Sequence, residues 1–211
     1  MRSSFRLPLV YPITDRQISG LSHAEQVTRL VDGGATLVQL RDKQASALEF
    51  YEQAKAALEI ANKRGVQLII NDRVDIALAL GAGVHLGQGD LPPEAARRLL
   101  GDEAIIGYST HSLSQIEQPA KLPIDYLAIG PIFPTATKEN ADPVVGLDGV
   151  KLAREVFGGS LVGIGGISHA NAHSVIEAGA NSVALIHALL ADPQRISENL
   201  HILFSVLSGL G

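Results

Sequence analysis

Eight short apolar runs recur along this chain, at residues 7–14, 36–40, 66–70, 84–86, 104–107, 126–130, 161–165 and 182–186. That recurrence constrains the fold more than any other feature. The spacing averages about 26 residues, near the lower limit for a unit of strand, helix and two connections. Several runs are continuous rather than alternating, as expected of parallel strands covered on both faces. The stretches between them carry helical periodicity, clearest over 45–63, where Leu48, Tyr51, Ala54, Ala57, Leu58 and Ala61 share one face.

Local signals mark where these elements begin and end. Gly33-Gly34-Ala35, Gly81-Ala82-Gly83 and Gly179-Ala180-Asn181 stand at helix-to-strand joints, where glycine terminates a helix in the left-handed conformation. Ser22, Ser46, Ser112 and Ser168 suit helix N-caps, and Pro92-Pro93 suits a first helical turn. The expected fold is α/β: a single (β/α)8 TIM barrel over residues 1–211. An open doubly wound sheet is the alternative. The barrel is preferred because polar residues follow nearly every apolar run instead of clustering at one switch point. Residues 131–146 form the longest irregular stretch, a candidate lid.

Composition excludes several classes of function. There is no Cys, so disulfides, thiolate metal sites and a Cys nucleophile are ruled out. A net charge of −5 argues against nucleic acid as a partner. No apolar run approaches the roughly 20 residues that span a membrane. The N-terminal residues, interrupted by Pro8 and Pro12, lack the apolar region of a signal peptide. A cytoplasmic enzyme acting on small molecules is the expectation.

In a barrel, chemistry sits at the C-terminal ends of the strands. After the second run comes Gln39-Leu40-Arg41-Asp42-Lys43; alternation turns Gln39, Arg41 and Lys43 to one side, where two cations and an amide suit an oxyanion. After the third comes Asn71-Asp72, and after the fourth His85-Leu86-Gly87-Gln88-Gly89-Asp90. Two carboxylates from adjacent strands, without His or Cys density, match Mg²⁺. Taken singly, Asp72 also reads as a helix cap ahead of Val74, and Asp90 as a cap ahead of Pro92. His85, alone on a strand, reads as hydrogen-bonded structure.

The fifth run closes on Ser109-Thr110-His111-Ser112, and the sixth leads into a loop carrying Thr135-Ala136-Thr137-Lys138, whose hydroxyl and ammonium donors suit a phosphate. Gly163-Ile164-Gly165-Gly166 after the seventh run lets backbone N–H groups approach a phosphate, or simply makes a tight turn. The eighth run ends at Ile186-His187.

Together these strings resemble the thiamine phosphate synthase family. The strings are Gln39 to Lys43, Asn71-Asp72, VHLGQGD from Val84, GYSTHS from Gly107, GPIFPTATK from Gly130, and Gly163 to Ile167, in order along nearly the whole chain. The resemblance implies joining of 4-amino-2-methyl-5-(diphosphomethyl)pyrimidine to 4-methyl-5-(2-phosphoethyl)thiazole, or its carboxylated tautomer. Pyrophosphate would leave through a dissociative pyrimidine cation. It implies Mg²⁺ on Asp72 and Asp90, and Arg41, Lys138 and Ser109 as catalytic residues. Gln39, Leu40, Asp42, Lys43 and Asn71 would help surround the pyrimidine diphosphate. Thr135, Ala136 and Thr137 would meet the thiazole phosphate, and Gly166, Ile186 and His187 would cradle its phosphate. Such enzymes are often homodimers. The chain departs from the family at His187, commonly Ser, and at Gly163, commonly Ala. A thiazole tautomerase of the same superfamily is the competing enzyme, and a non-catalytic binding relative the competing class. Retention of Arg41, Asn71, Asp72, Asp90, Thr137 and Lys138 argues against both.

Overall fold

The computed structural model describes residues 5–111, 122–135 and 143–209. Its strands are β1 (Val10–Thr14), β2 (Leu37–Leu40), β3 (Gln67–Asn71), β4 (Gly83–Leu86), β5 (Ile106–Thr110), β6 (Tyr126–Ile129), β7 (Ser160–Ile164) and β8 (Ser182–Leu185). Each pairs in parallel with the next, and β8 closes on β1. Helices α1 (Arg16–Ser19) and α2 (His23–Asp32) follow β1, then α3 (Ala47–Arg64), α4 (Val74–Leu80) and α5 (Pro93–Leu100) follow β2 to β4. After β6 come α6 (Gly146–Val156), α7 (Ala172–Glu177), α8 (His187–Leu190) and α9 (Ile196–Ser208). The expected TIM barrel is what the chain forms.

Strand alternation sorts the apolar side chains into two layers. Ile13, Leu37, Ile69, Ala128, Val162 and Ala184 fill the interior, beside Tyr11 and Tyr126. Val38, Leu40, Ile70, Leu86, Leu127 and Val183 point outward beneath the helices. Both faces are therefore buried, which is why the runs read as continuous rather than alternating. Space for Tyr126 comes from its neighbour across the ladder: a Cβ on Gly107 would lie 2.0 Å from the Tyr126 ring, so no larger residue fits there.

Helix starts follow the sequence closely. Ser22 caps α2 in a capping box with Glu25, and the Ser46 hydroxyl accepts from the Glu49 amide at 3.2 Å. Pro93 opens α5. Ser168 does not cap α7; Asn171 stands there instead, and its side-chain oxygen accepts from the Ser168 amide at 2.7 Å. The buried face of α3 is also rotated from the expected one. Phe50, Ala54, Ala57 and Ala61 are buried, whereas Leu48 is 71% exposed. The three alanines let the helix lie close against its neighbours, and the one ring fills the space at its start.

Most strand boundaries fall within one residue of expectation; β1 and β5 differ by more. β1 starts at Val10 rather than residue 7, because Phe5 and Leu7 pack onto the interior layer. β5 runs to Thr110, beyond the apolar signal, because its last residues, Tyr108 to Thr110, reach the mouth of the barrel. Ser112, Ala136, Thr137 and Lys138 lie outside the described residues, as do residues 136–142 of the candidate lid as a whole.

Candidate active site

The C-terminal ends of the strands open onto a cleft of about 570 Å³. Its floor is apolar, formed by Ile13, Ile164 and Ala184, and its walls are polar. One wall carries Gln39, Arg41, Lys43, Asn71, Asp72 and Asp90; Ser109 and Thr135 stand on another, and Gly166, Ile186 and His187 on a third. Expected residues from seven strand ends, β2 to β8, thus meet at one opening. Leu40 and Asp42 do not contribute side chains to it. Leu40 is fully buried in the outer layer, and Asp42 accepts from the Gln44 and Ala45 amides at 3.1 and 3.0 Å, closing the turn before α3.

The cations are held by carboxylates at the strand ends. Arg41 is 2.5 Å from Asp15, which lies just past β1 and also accepts from the Gln17 and Ile18 amides to cap α1. Asp15 thereby fixes the guanidinium, a role the sequence reading missed although Asp15 ends its own strand. Lys43 is paired with Asp72. Asp72 caps no helix: α4 starts after Arg73 without a side-chain cap, and Asp72 itself adopts a left-handed φ of 64°. That conformation is tolerated by few residues other than glycine, of which aspartate is one. It brings the Asp72 carboxylate to Asp90, whose own oxygen accepts from the Gly87 amide at 2.7 Å.

Asp90 is pushed up from the ordinary carboxylate value, first by burial and then by the charge of Asp72, against the Gly87 amide, which lowers it. Two facing carboxylates favour a cation between them. The described residues contain no group of three or more His, Asp or Glu placed to hold a metal. Mg²⁺ does not need one, since it takes one or two carboxylates and completes its shell with water and substrate phosphate.

The glycine corner has a packing reason as well as any ligand role. A Cβ on Gly165 would lie 2.6 Å from Pro131, and one on Gly166 would lie 2.6 Å from the Pro134 carbonyl. Both have positive φ. Ile132 and Phe133 donate to the carbonyls of Ile164 and Gly165, so residues 131–133 continue the β6–β7 pairing past the end of β6. Asn171 donates to the Gly166 carbonyl at 3.1 Å and shapes the same turn. Gly163 answers to Val175: a Cβ there would lie 2.4 Å from the valine methyl.

Two buried histidines give the fold a dependence on acid. Burial lowers His23 and His85 from 6.5 to about 4, although Asp42 pulls His23 and Asp72 pulls His85 the other way. Between those values the unfolded chain binds the protons that the folded chain refuses, so stability falls as pH drops from 6.5 to about 4. Each group contributes about 3 kcal/mol over that interval. Chemical denaturation at pH 7 and pH 4.5 should show His23→Gln losing less stability on acidification than the parent. Parallel losses would contradict the assignment.

Comparison with known proteins identifies the family and the fold. A sequence profile of the family described as thiamine monophosphate synthase matches residues 10–189. A thiamine-phosphate synthase of Koribacter versatilis is 48% identical over 214 residues, covering 97% of this chain and 100% of the relative. Another, from Chloroflexus aurantiacus, is 43% identical and is covered to 93%, as is this chain. Among solved structures, a thiamine phosphate pyrophosphorylase from Pyrococcus furiosus matches with a TM-score of 0.86 at 34% identity, over 96% of each chain. Phosphoribosyl anthranilate isomerase from Thermus thermophilus shares the fold alone, with a TM-score of 0.66 at 16% identity over 96% of this chain and 100% of that one.

Proposed function

Because this chain belongs to the thiamine monophosphate synthase family, we propose that it joins an aminopyrimidine methyl diphosphate to a thiazole phosphate, releasing pyrophosphate in a Mg²⁺-dependent reaction. The observation that carries the reading is the meeting of Asp72, Asp90, Lys43 and Arg41 at one wall of the cleft, above an apolar floor. Charge of both signs at the rim suits a metal-bound diphosphate, and the floor suits a flat ring.

In this reading Asp72 and Asp90 hold Mg²⁺, which when bound offsets charge on the leaving diphosphate oxygens. Arg41, fixed by Asp15, donates to the same oxygens, and Lys43 adds a second positive charge. Lys138, outside the described residues, is assigned to the leaving group with them. Gln39, Asn71 and Ser109 orient the pyrimidine, whose methyl carbon becomes cationic as pyrophosphate departs. The thiazole nitrogen captures that carbon, so the chain needs two ligands held face to face and no general base. Thr135, Thr137 and Ala136 meet the thiazole phosphate, and Gly166 with the Ile186 and His187 backbone receives its phosphate. His187 adds an imidazole beside that anion, where the family resemblance leads one to expect Ser. Leu40 and Asp42 act through the backbone of the β2 turn. The same reading has the enzyme in the cytoplasm as a homodimer, with small molecules as its only substrates; no described helix is long and apolar enough to cross a membrane.

Calorimetry with pyrophosphate tests the shared metal and diphosphate site without requiring turnover. Binding should strengthen at least tenfold on adding Mg²⁺, and Asp72→Asn should remove that gain. Equal affinity with and without Mg²⁺ would take the metal out of the site.

A further inference from the structure

A chain of hydrogen bonds runs through the barrel interior from one wall of the cleft to another. The Gln39 amide nitrogen donates to the Tyr11 hydroxyl at 3.0 Å, and the Tyr11 and Tyr126 hydroxyls are 2.8 Å apart. Tyr126 lies 3.0 Å from Nδ1 of His85, and Nε2 of His85 lies 2.7 Å from the Ser109 hydroxyl. Tyr126 stacks on His85 with ring centroids 5.5 Å apart and meets Tyr11 edge-on. Gln39, Tyr11 and Tyr126 are at most 2% exposed and His85 only 7%, so each inner group depends on its neighbours in the chain. Gln39 and Ser109, the two ends, line the cleft on β2 and β5.

Counting hydrogens gives this chain a direction. Gln39 supplies a hydrogen to the Tyr11 oxygen, so the Tyr11 hydrogen has Tyr126 as its acceptor in the chain. The Tyr126 hydrogen then goes to Nδ1 of His85, which must be bare, leaving the imidazole hydrogen on Nε2. That hydrogen goes to the Ser109 oxygen, and the Ser109 hydrogen is left for the cleft. Placing a hydrogen on Nδ1 would turn the Tyr126 hydrogen back onto Tyr11. The Tyr11 oxygen would then receive two donors, and its own buried hydrogen would lose its acceptor in the chain, at about 1–3 kcal/mol.

We propose that Tyr11, Tyr126 and His85 are positioning residues that couple Gln39 to Ser109, so that Ser109 faces the pyrimidine diphosphate as a hydrogen-bond donor while Gln39 keeps its carbonyl oxygen for a donor on the ligand. The coupling itself is a property of the ligand-free chain; the identity of the ligand rests on the synthase reading. Its chemistry fits an aminopyrimidine diphosphate, which offers N–H donors on the amino group and acceptors at ring nitrogens and phosphate. A ligand with the opposite pattern would meet two mismatched ends at once. Tyr11 and Tyr126 do not line the cleft, whereas His85 borders it beside Ser109; all three act by fixing the polarity of the two ends.

The direction can be reversed from one end. Gln39→Glu is nearly isosteric but replaces a donor by an acceptor. Long-range proton–nitrogen correlation spectra of the labelled full-length protein, without ligand, read the His85 tautomer directly. The parent should carry its hydrogen on Nε2. In Gln39→Glu at pH 9, with the carboxyl carbon shift showing the introduced group ionised, the hydrogen should move to Nδ1. A parent hydrogen on Nδ1, or an unchanged tautomer in the variant, would overturn the coupling. In turnover assays Ser109→Ala should raise the pyrimidine diphosphate KM about tenfold in the parent, the loss of one hydrogen bond, and leave the thiazole phosphate KM unchanged. In the Gln39→Glu background the same substitution should cost nothing further. Additive effects on that KM would also overturn the proposal. If the parent shows no synthase turnover, the functional reading falls, while the tautomer measurement still decides the coupling.

Discussion

Asp90→Asn should lower turnover about 10²- to 10³-fold, or about 3–4 kcal/mol of transition-state stabilisation, without weakening the fold. The two halves of that expectation come from one piece of geometry. The turn after β4 places the Asp90 carboxylate against Asp72 in a setting where burial, and then the neighbouring charge, disfavour ionisation. Such a pair is unfavourable for folding, and Lys43, which pairs with Asp72, offsets the repulsion only in part. An amide at Asp90 still offers an oxygen to the Gly87 amide, so the turn is kept while the repulsion is removed. The linkage has a definite sign. A carboxyl raised in the fold contributes stability that is lost as pH rises through its folded value, and Asp90→Asn should abolish that loss. Thermal unfolding and a Mg²⁺ titration of kcat read both effects on one sample. Unchanged turnover across the titration would remove Asp90 from the metal site, and a large fall in melting temperature would make its role structural.

Arg97→Ala should cost about 3–5 kcal/mol, the largest stability loss expected of any single polar residue described. Arg97 is 9% exposed and sits in the last turn of α5. Its guanidinium donates to the carbonyls of Gly101, Asp102 and Ala104 on one side and Pro123 on the other, and pairs with Asp125 at 2.8 Å. Asp125 in turn accepts from the Ile106 amide at 2.8 Å, at the first residue of β5. One side chain therefore ties the segment entering β5 to the one entering β6, and so sets the height of Gly107 and Ser109 within the barrel. Arg97→Lys cannot reproduce the planar array of donors and should recover less than half of the loss. Urea denaturation of the three proteins tests this; full recovery in Arg97→Lys would show that charge rather than geometry is what matters.

These two residues mark where the sequence is legible and where it is not. Asp90 is visible from sequence because the chemistry of a barrel collects at strand ends, and the fourth apolar run points directly at it. The eight strands and the Ser22, Ser46 and Pro93 helix starts are legible for similar reasons, since each depends on residues a few positions apart. Arg97 is invisible because most of its partners are backbone carbonyls, which carry no sequence identity and come together only after folding. The Tyr11–Tyr126–His85 chain is a middle case. Alternation places inward residues on β1, β4 and β6, but nothing local says that those inward residues meet one another across the barrel.

Leu40 and Asp42 carry a related lesson. Alternation along β2 already turned Gln39, Arg41 and Lys43 inward and these two outward, and the structure places them so. Their grouping with the ligand contacts came from the family likeness, which marks segments rather than side-chain directions. Ser168 does not cap because α7 starts three residues later, with Asn171 at the N-cap position; the Asn171 side chain accepts from the Ser168 amide and donates to the Gly166 carbonyl. Asp72 reads locally as a cap, yet its left-handed backbone turns the carboxylate to the cleft instead.

The proposed reaction requires a cleft that brings a metal-bound diphosphate and an acceptor ring together. Incubation of the purified protein with the pyrimidine diphosphate, the thiazole phosphate and Mg²⁺, with both products quantified over time, is the most direct measurement. Thiamine phosphate and pyrophosphate should appear in equal amounts and fail to appear when Mg²⁺ is chelated. A folded protein that yields neither product, or that only isomerises the thiazole phosphate, would contradict it.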